Sequence, residues 1–115
     1  MLKAIICDID GTLTDRRRRI SSAAIECLRS LLDQGIEVTL ASGNTACFMD
    51  AVSKMIGTSG TFIAENGGVF RVGYDGDLHI FGDQSLAWDA FRRLEAHFGP
   101  QGKRLNLYSP NYRFS

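Results

Sequence analysis

Asp8 and Asp10 stand two residues apart, at the end of the apolar run Ala4-Ile5-Ile6-Cys7 and just before Gly11. A short apolar run stopped by a turn signal reads as a buried strand of a parallel sheet. Residues two apart on such a strand lean to the same side. Two carboxylates held together at a strand end favour a cation or a proton between them. A second polar group, Ser42-Gly43-Asn44-Thr45, follows a second apolar run, Ile36-Glu37-Val38-Thr39-Leu40. A helical pattern opens at Asn44 or Thr45, so unpaired N–H groups at a helix N-terminus lie beside a strand end, an arrangement that binds phosphate. Gly43 lets the backbone approach closely. The Ser42 hydroxyl can donate one more hydrogen bond. Taken alone, this stretch is also an ordinary helix cap.

The elements that place these groups follow in order. Ser21 or Ser22 caps a helix with the stripe Ala24, Ile25, Leu28, Leu31 and Leu32, stopped at Gly35. The second helix carries Phe48, Val52, Met55 and Ile56 and ends at Gly57. Thr61–Ala64 is a third strand. Glu65-Asn66-Gly67-Gly68 is turn-rich, and Asn66 either faces the site or caps this turn. Val69–Val72 and Leu78–Phe81 flank a Gly/Asp turn as a β-hairpin. From Asp83 a helix carries Trp88, Phe91, Leu94 and Phe98 and stops at Gly99-Pro100. Lys103–Tyr108 starts an extended run. Arg16–Arg19 reads either as a solvated charge run or as a positive rim drawing an anion.

The 115 residues suffice for one modest domain, with 44% hydrophobic and 23% charged residues. A formal net charge of zero offers no global field for nucleic acid or an anionic membrane. No apolar run approaches a membrane span. The N-terminus enters a strand directly, and the chain is expected to be unprocessed and cytoplasmic. Cys7, Cys27 and Cys47 are odd in number and far apart, which argues against disulfides and zinc; all three are expected as buried small hydrophobes. His79 and His97 are isolated, one in the hairpin and one exposed on a helix.

The stretch Asp8-Ile9-Asp10-Gly11-Thr12-Leu13-Thr14, followed by Ser42-Gly43-Asn44, resembles the first two motifs of the haloacid dehalogenase superfamily of phosphatases. With Ile56–Gly60 and Glu65–Gly68, the resemblance is strongest to its archaeal-type phosphoglycolate phosphatases. It implies a Rossmann-like α/β core, three-layered around a parallel sheet. The chain would hold the N-terminal half of that core, a β-hairpin and the start of an α+β cap domain, with core at 1–82 and cap at 83–115. Asp8 would be the nucleophile that becomes an aspartyl-phosphate, and Asp10 the general acid/base. Ser42, Gly43 and Asn44 would bind the phosphate. One oxygen of Asp8 and the backbone carbonyl of Asp10 would hold Mg2+. Superfamily members that transfer phosphoryl groups slowly, such as ion-pumping ATPases, carry Thr where Asp10 stands, so Asp10 favours turnover of a phosphomonoester. The implied substrate is 2-phosphoglycolate, with sugar phosphates as the alternative.

Members of this family are longer. After the cap they return with a lysine and an acidic Gly-Asp-x-x-Asn-Asp loop. Gly82-Asp83 with Asp89 imitates that loop, but Asp83 precedes a helical pattern and reads as its N-cap. Lys103 opens a basic extended run. The chain is therefore expected to be the front half of an enzyme (a truncated frame, a fragment or one piece of a split protein) with little or no activity alone. An open edge on the first strand is expected to invite self-association.

Overall fold

A computed structural model describes residues 1–99. The chain divides into two compact units, Met1–Phe81 and Gly82–Ser115. The first contains strands β1 (Ala4–Asp8), β2 (Glu37–Ala41), β3 (Phe62–Ala64), β4 (Val69–Arg71) and β5 (His79–Ile80), with helices α1 (Ser22–Asp33) and α2 (Ala46–Ile56). The sheet runs β1-β2-β3-β4-β5. β1, β2 and β3 are parallel, and the β4–β5 hairpin is antiparallel to β3.

Consecutive right-handed crossovers in one direction put both helices on one face. That face is the core, where Val38 and Leu40 from β2 and Phe62 and Ala64 from β3 meet Leu28 of α1 and Met49 and Ile56 of α2. Two of the three expected layers thus lie within Met1–Phe81. Ile6, on the opposite face, is 68% exposed. β1 is not the buried strand that its composition suggests. Among the described residues it pairs only with β2, and Ala4, Ile6 and Asp8 are exposed while Ile5 and Cys7 are half-buried. Burial of a strand is conferred by its neighbours, and β1 is an edge.

Each helix has its expected stops. Ser21 Oγ accepts from the Ala24 amide at 3.3 Å, and Thr45 Oγ1 from the Phe48 amide at 3.4 Å. Gly57 closes α2 in a left-handed conformation (φ 96°). Arg29 of α1 donates to the Ile56 carbonyl at 2.7 Å and to the Met55 carbonyl at 3.1 Å, capping the negative end of α2. The inward stripe of α2 differs from the expected one. Met49, Ser53 and Ile56 are buried, and Phe48 and Met55 are exposed. Met49, Ser53 and Ile56 share one helical face by their spacing of four and three, and that face meets the sheet; Phe48 and Met55 each lie one residue, about 100°, off it. Cys27 and Cys47 are exposed, correcting the expectation of burial: each sits outside its helix's inward stripe.

In the second unit, α3 (Gln84–Phe98) buries none of its residues. Trp88 meets Phe91 edge-on at 5.7 Å. The expected extended run at Lys103–Tyr108 lies outside the described residues.

Candidate active site

Three strand exits meet at one end of the sheet. At the first, β1 ends on Asp8, and Ile9 plunges into the core, 3% exposed. The Ile9 carbonyl accepts from the amides of Thr12 (3.2 Å), Leu13 (2.9 Å) and Thr14 (3.3 Å), winding a tight turn through Gly11 at φ 81°. Asp8 and Asp10 flank Ile9 and are exposed. The Asp10 carbonyl accepts no hydrogen bond among the described residues. The chain then makes a flap before α1. Asp15 Oδ1 accepts from the amides of Arg17 (2.8 Å) and Arg19 (3.0 Å), and the Arg19 Nε lies 3.2 Å from Asp15 Oδ2. The Arg19 amide, foremost among these donors, holds the Asp15 carboxyl below its ordinary value. Arg16–Arg19 are solvated.

At the second exit, Ser42 is 8% exposed and its amide donates to the Ile63 carbonyl at 3.0 Å. Ser42 Oγ accepts from the Asn44 amide at 3.1 Å and from Asn44 Nδ2 at 2.7 Å. Both lone pairs are taken, so the hydroxyl proton remains to donate. Asn44 Nδ2 also donates to Asp10 Oδ2 at 2.9 Å. One amide group therefore ties the first exit to the second. The Ser42 and Asn44 amides have partners, whereas those of Gly43 and Thr45 have none among the described residues.

At the third exit, Glu65 (φ 51°), Asn66 (φ 55°) and Gly67 (φ 93°) are left-handed in succession. The Glu65 amide donates to the Asn44 carbonyl at 2.9 Å, and the Asn66 amide to the Ser42 carbonyl at 3.3 Å. Asp8, Ser42, Gly43, Ile63 and Asn66 line one open cavity of about 320 Å³. Asn66 thus takes the first of its two sequence readings and faces this cavity.

Burial first, then the charge of Asp8, push the Cys7 thiol above the ordinary value and keep it protonated. Asp83 caps α3 as expected, its Oδ1 accepting from the Ser85 amide at 2.8 Å and the Ser85 hydroxyl at 2.7 Å. Asp89 pairs with Arg93 at 3.2 Å on the same helix. Lys3 precedes β1, Lys54 pairs with Asp50 at 2.9 Å, and Lys103 lies outside the described residues. No group of three or more His, Cys, Asp or Glu residues able to hold a metal occurs among the described residues.

Comparison with known proteins gives consistent matches. The profile of the haloacid dehalogenase-like hydrolases matches residues 5–114. A phosphoglycolate phosphatase of Methanoculleus marisnigri is 57% identical over the whole of this chain, which covers 49% of that protein. One of Methanospirillum hungatei is 51% identical, again over the whole chain and 50% of its own length. The chain thus spans about half the length of these curated relatives. The crystal structure of Thermoplasma acidophilum 0175 superposes with a TM-score of 0.74 at 34% identity, covering 84% of this chain and 42% of that one.

Proposed function

This chain belongs to the haloacid dehalogenase-like hydrolase family, and on that premise we propose that it carries the reacting carboxylates and phosphate cradle of a magnesium-dependent phosphomonoesterase. The substrate is 2-phosphoglycolate, cleaved with water to glycolate and phosphate. The observation that supports this is the convergence of Asp8, Ser42 and Gly43 on one cavity, with Asp10 tied to the same loop through Asn44. The relatives from M. marisnigri and M. hungatei support the choice of substrate.

Asp8 attacks phosphorus in line, the bond from phosphorus to the alkoxide oxygen breaks, and an aspartyl-phosphate forms. Asp10 gives its proton to the departing alkoxide. It then takes a proton from the water that attacks phosphorus, which frees phosphate and restores Asp8. The Ser42 hydroxyl and the Gly43 amide hold the phosphoryl oxygens. The Asp8 carboxylate and the Asp10 carbonyl fit magnesium: both are hard oxygen donors, and that carbonyl is unpartnered among the described residues. Bound there, the ion supplies positive charge to the phosphoryl group. The reading includes a cytoplasmic enzyme of carbohydrate metabolism, a boundary between core and cap near Asp83, and self-association through the outer edge of β1. No helix among the described residues is long and apolar enough to cross a membrane.

The described residues bring one carboxylate, Asp8, and no lysine to the cavity, with Asp10 tied to its loop through Asn44, so these 115 residues by themselves are expected to turn over slowly or not at all. The test is phosphate release from 2-phosphoglycolate with magnesium, together with the amide spectrum during titration with inorganic phosphate. Asp8→Asn should abolish whatever release wild type shows, because a carboxamide is a poor nucleophile. Release that survives Asp8→Asn removes Asp8 as nucleophile. Turnover by the chain alone at about 10 s⁻¹ or more overturns the slow-turnover expectation.

A further inference from the structure

We propose that Asn66 is a positioning residue for the anion cradle, an assignment that rests on the phosphatase reading above. The turn at Glu65–Gly67 grips the loop after β2 at two carbonyls, Ser42 through the Asn66 amide and Asn44 through the Glu65 amide. No peptide bond in the described residues is cis. In a planar trans peptide the C=O and the next residue's N–H point in opposite directions. Fixing the carbonyls of Ser42 and Asn44 toward the turn therefore fixes the N–H groups of Gly43 and Thr45 away from it. Those are the two amides in residues 42–45 without a partner among the described residues.

The side chain of Asn66 adds a second constraint. A Cβ on residue 43 would lie 2.8 Å from Asn66 Oδ1. Gly43 has no left-handed φ, so its backbone conformation would accept alanine. What a methyl group at 43 would meet is the end of the Asn66 side chain, which would have to swing off the loop to admit it. Left-handed φ at the non-glycine residues Glu65 and Asn66 carries a conformational cost that persists only where the surroundings enforce it. Here the two backbone clamps and the Gly43 contact enforce it.

The experiment follows inorganic phosphate binding to the 115-residue chain with magnesium present, reading the amide signals of Gly43 and Thr45 and, separately, the melting temperature. In wild type both amides should shift on titration. Gly43→Ala should weaken phosphate about tenfold, the equivalent of one charged hydrogen bond. Adding Asn66→Gly to it removes the collision and keeps a left-handed turn accessible, so the double variant should return to within about threefold of wild type. A methyl group that blocked phosphate by itself would not be rescued. A double variant as weak as Gly43→Ala, or a Gly43→Ala that binds like wild type, overturns the role of Asn66. Should Gly43→Ala fail to fold, Asn66→Ala serves: alanine, unlike the glycine of the double variant, resists the left-handed turn that carries the amide clamp, so about tenfold weaker binding with both amides still dispersed supports the assignment, and unchanged binding overturns it. A wild-type chain whose Gly43 and Thr45 amides ignore phosphate removes the anion site itself, a result distinct from failure of the rescue.

Discussion

The first two exits from the sheet use the same kind of joint for opposite purposes. After β2, residues 42–45 lead straight into α2, so the partly positive end of that helix stands at the strand tip. After β1, residues 9–21 intervene before α1, and the carboxylates are kept away from that helix end. The short joint suits an anion brought from solution. The long joint leaves room for a tight turn with two exposed carboxylates and for a flap folded on Asp15. Asn44 spans the two, donating to Ser42 on its own exit and to Asp10 on the other. On the proposed reading, loop length sets which exit receives the charge and which supplies it.

That contrast can be broken most severely by equalising the joints. Two glycines inserted between Asn44 and Thr45 should displace the cradle from α2 and weaken phosphate binding about a hundredfold. The same insertion between Arg17 and Arg18, in the solvated flap, should change it about threefold or less. Equal effects in the amide titration would mean that joint length is irrelevant. A smaller effect separates the strands themselves. Leu40→Ala on β2 should cost about 2–5 kcal/mol in urea unfolding, since Leu40 is fully buried, whereas Ile6→Ala on β1 should cost about 0.5 kcal/mol or less. Comparable losses would deny that β1 is an edge.

The smallest effect concerns acid. Asp50 on α2 pairs with Lys54 at 2.9 Å and with Arg71 of β4 at 2.7 Å. Lys54 first, then Arg71, hold its carboxyl below the ordinary 3.8. A lowered value in the folded state means that this stabilisation is complete above about pH 4 and is lost as pH falls through the lowered value. The pair is partly solvated, so the loss should be about 1 kcal/mol or less. Asp50→Asn should flatten the acid limb of the stability curve and leave phosphate affinity near neutral pH untouched, because Asp50 is not among the residues that line the cavity. A stability curve with an unchanged acid limb in that variant would count against the clamp.

Much of this architecture is legible in the amino-acid order. The apolar runs and their Gly and Ser stops locate β1, α1, β2, α2 and β3, and Asp83 is recognisable as a cap because a helical pattern starts beside it. Local signals fail where a distant partner decides. Adjacent apolar residues at 48 and 49, and at 55 and 56, leave the phase of α2 open until the sheet selects Met49 and Ile56. β1 reads as buried from its composition, whereas the open edge also expected of it is what leaves Ala4, Ile6 and Asp8 exposed. The bond from Asn44 to Asp10 joins exits 34 residues apart, and the seat of Asn66 on Gly43 joins two others. The one sequence cue to the latter is a glycine whose own backbone does not need it.

Ile9 has a consequence beyond filling the core. An edge strand is held in register by a single partner, and side chains alternate, so sliding β1 by one residue along β2 would turn Asp8 inward and Ile9 outward. Such a slip would expel a nearly fully buried isoleucine and undo the three-amide knot on its carbonyl. The apolar residue between the carboxylates acts as a detent. It carries no reactive group, yet it indexes the strand so that the two acids come to rest facing the loop proposed to receive the phosphate.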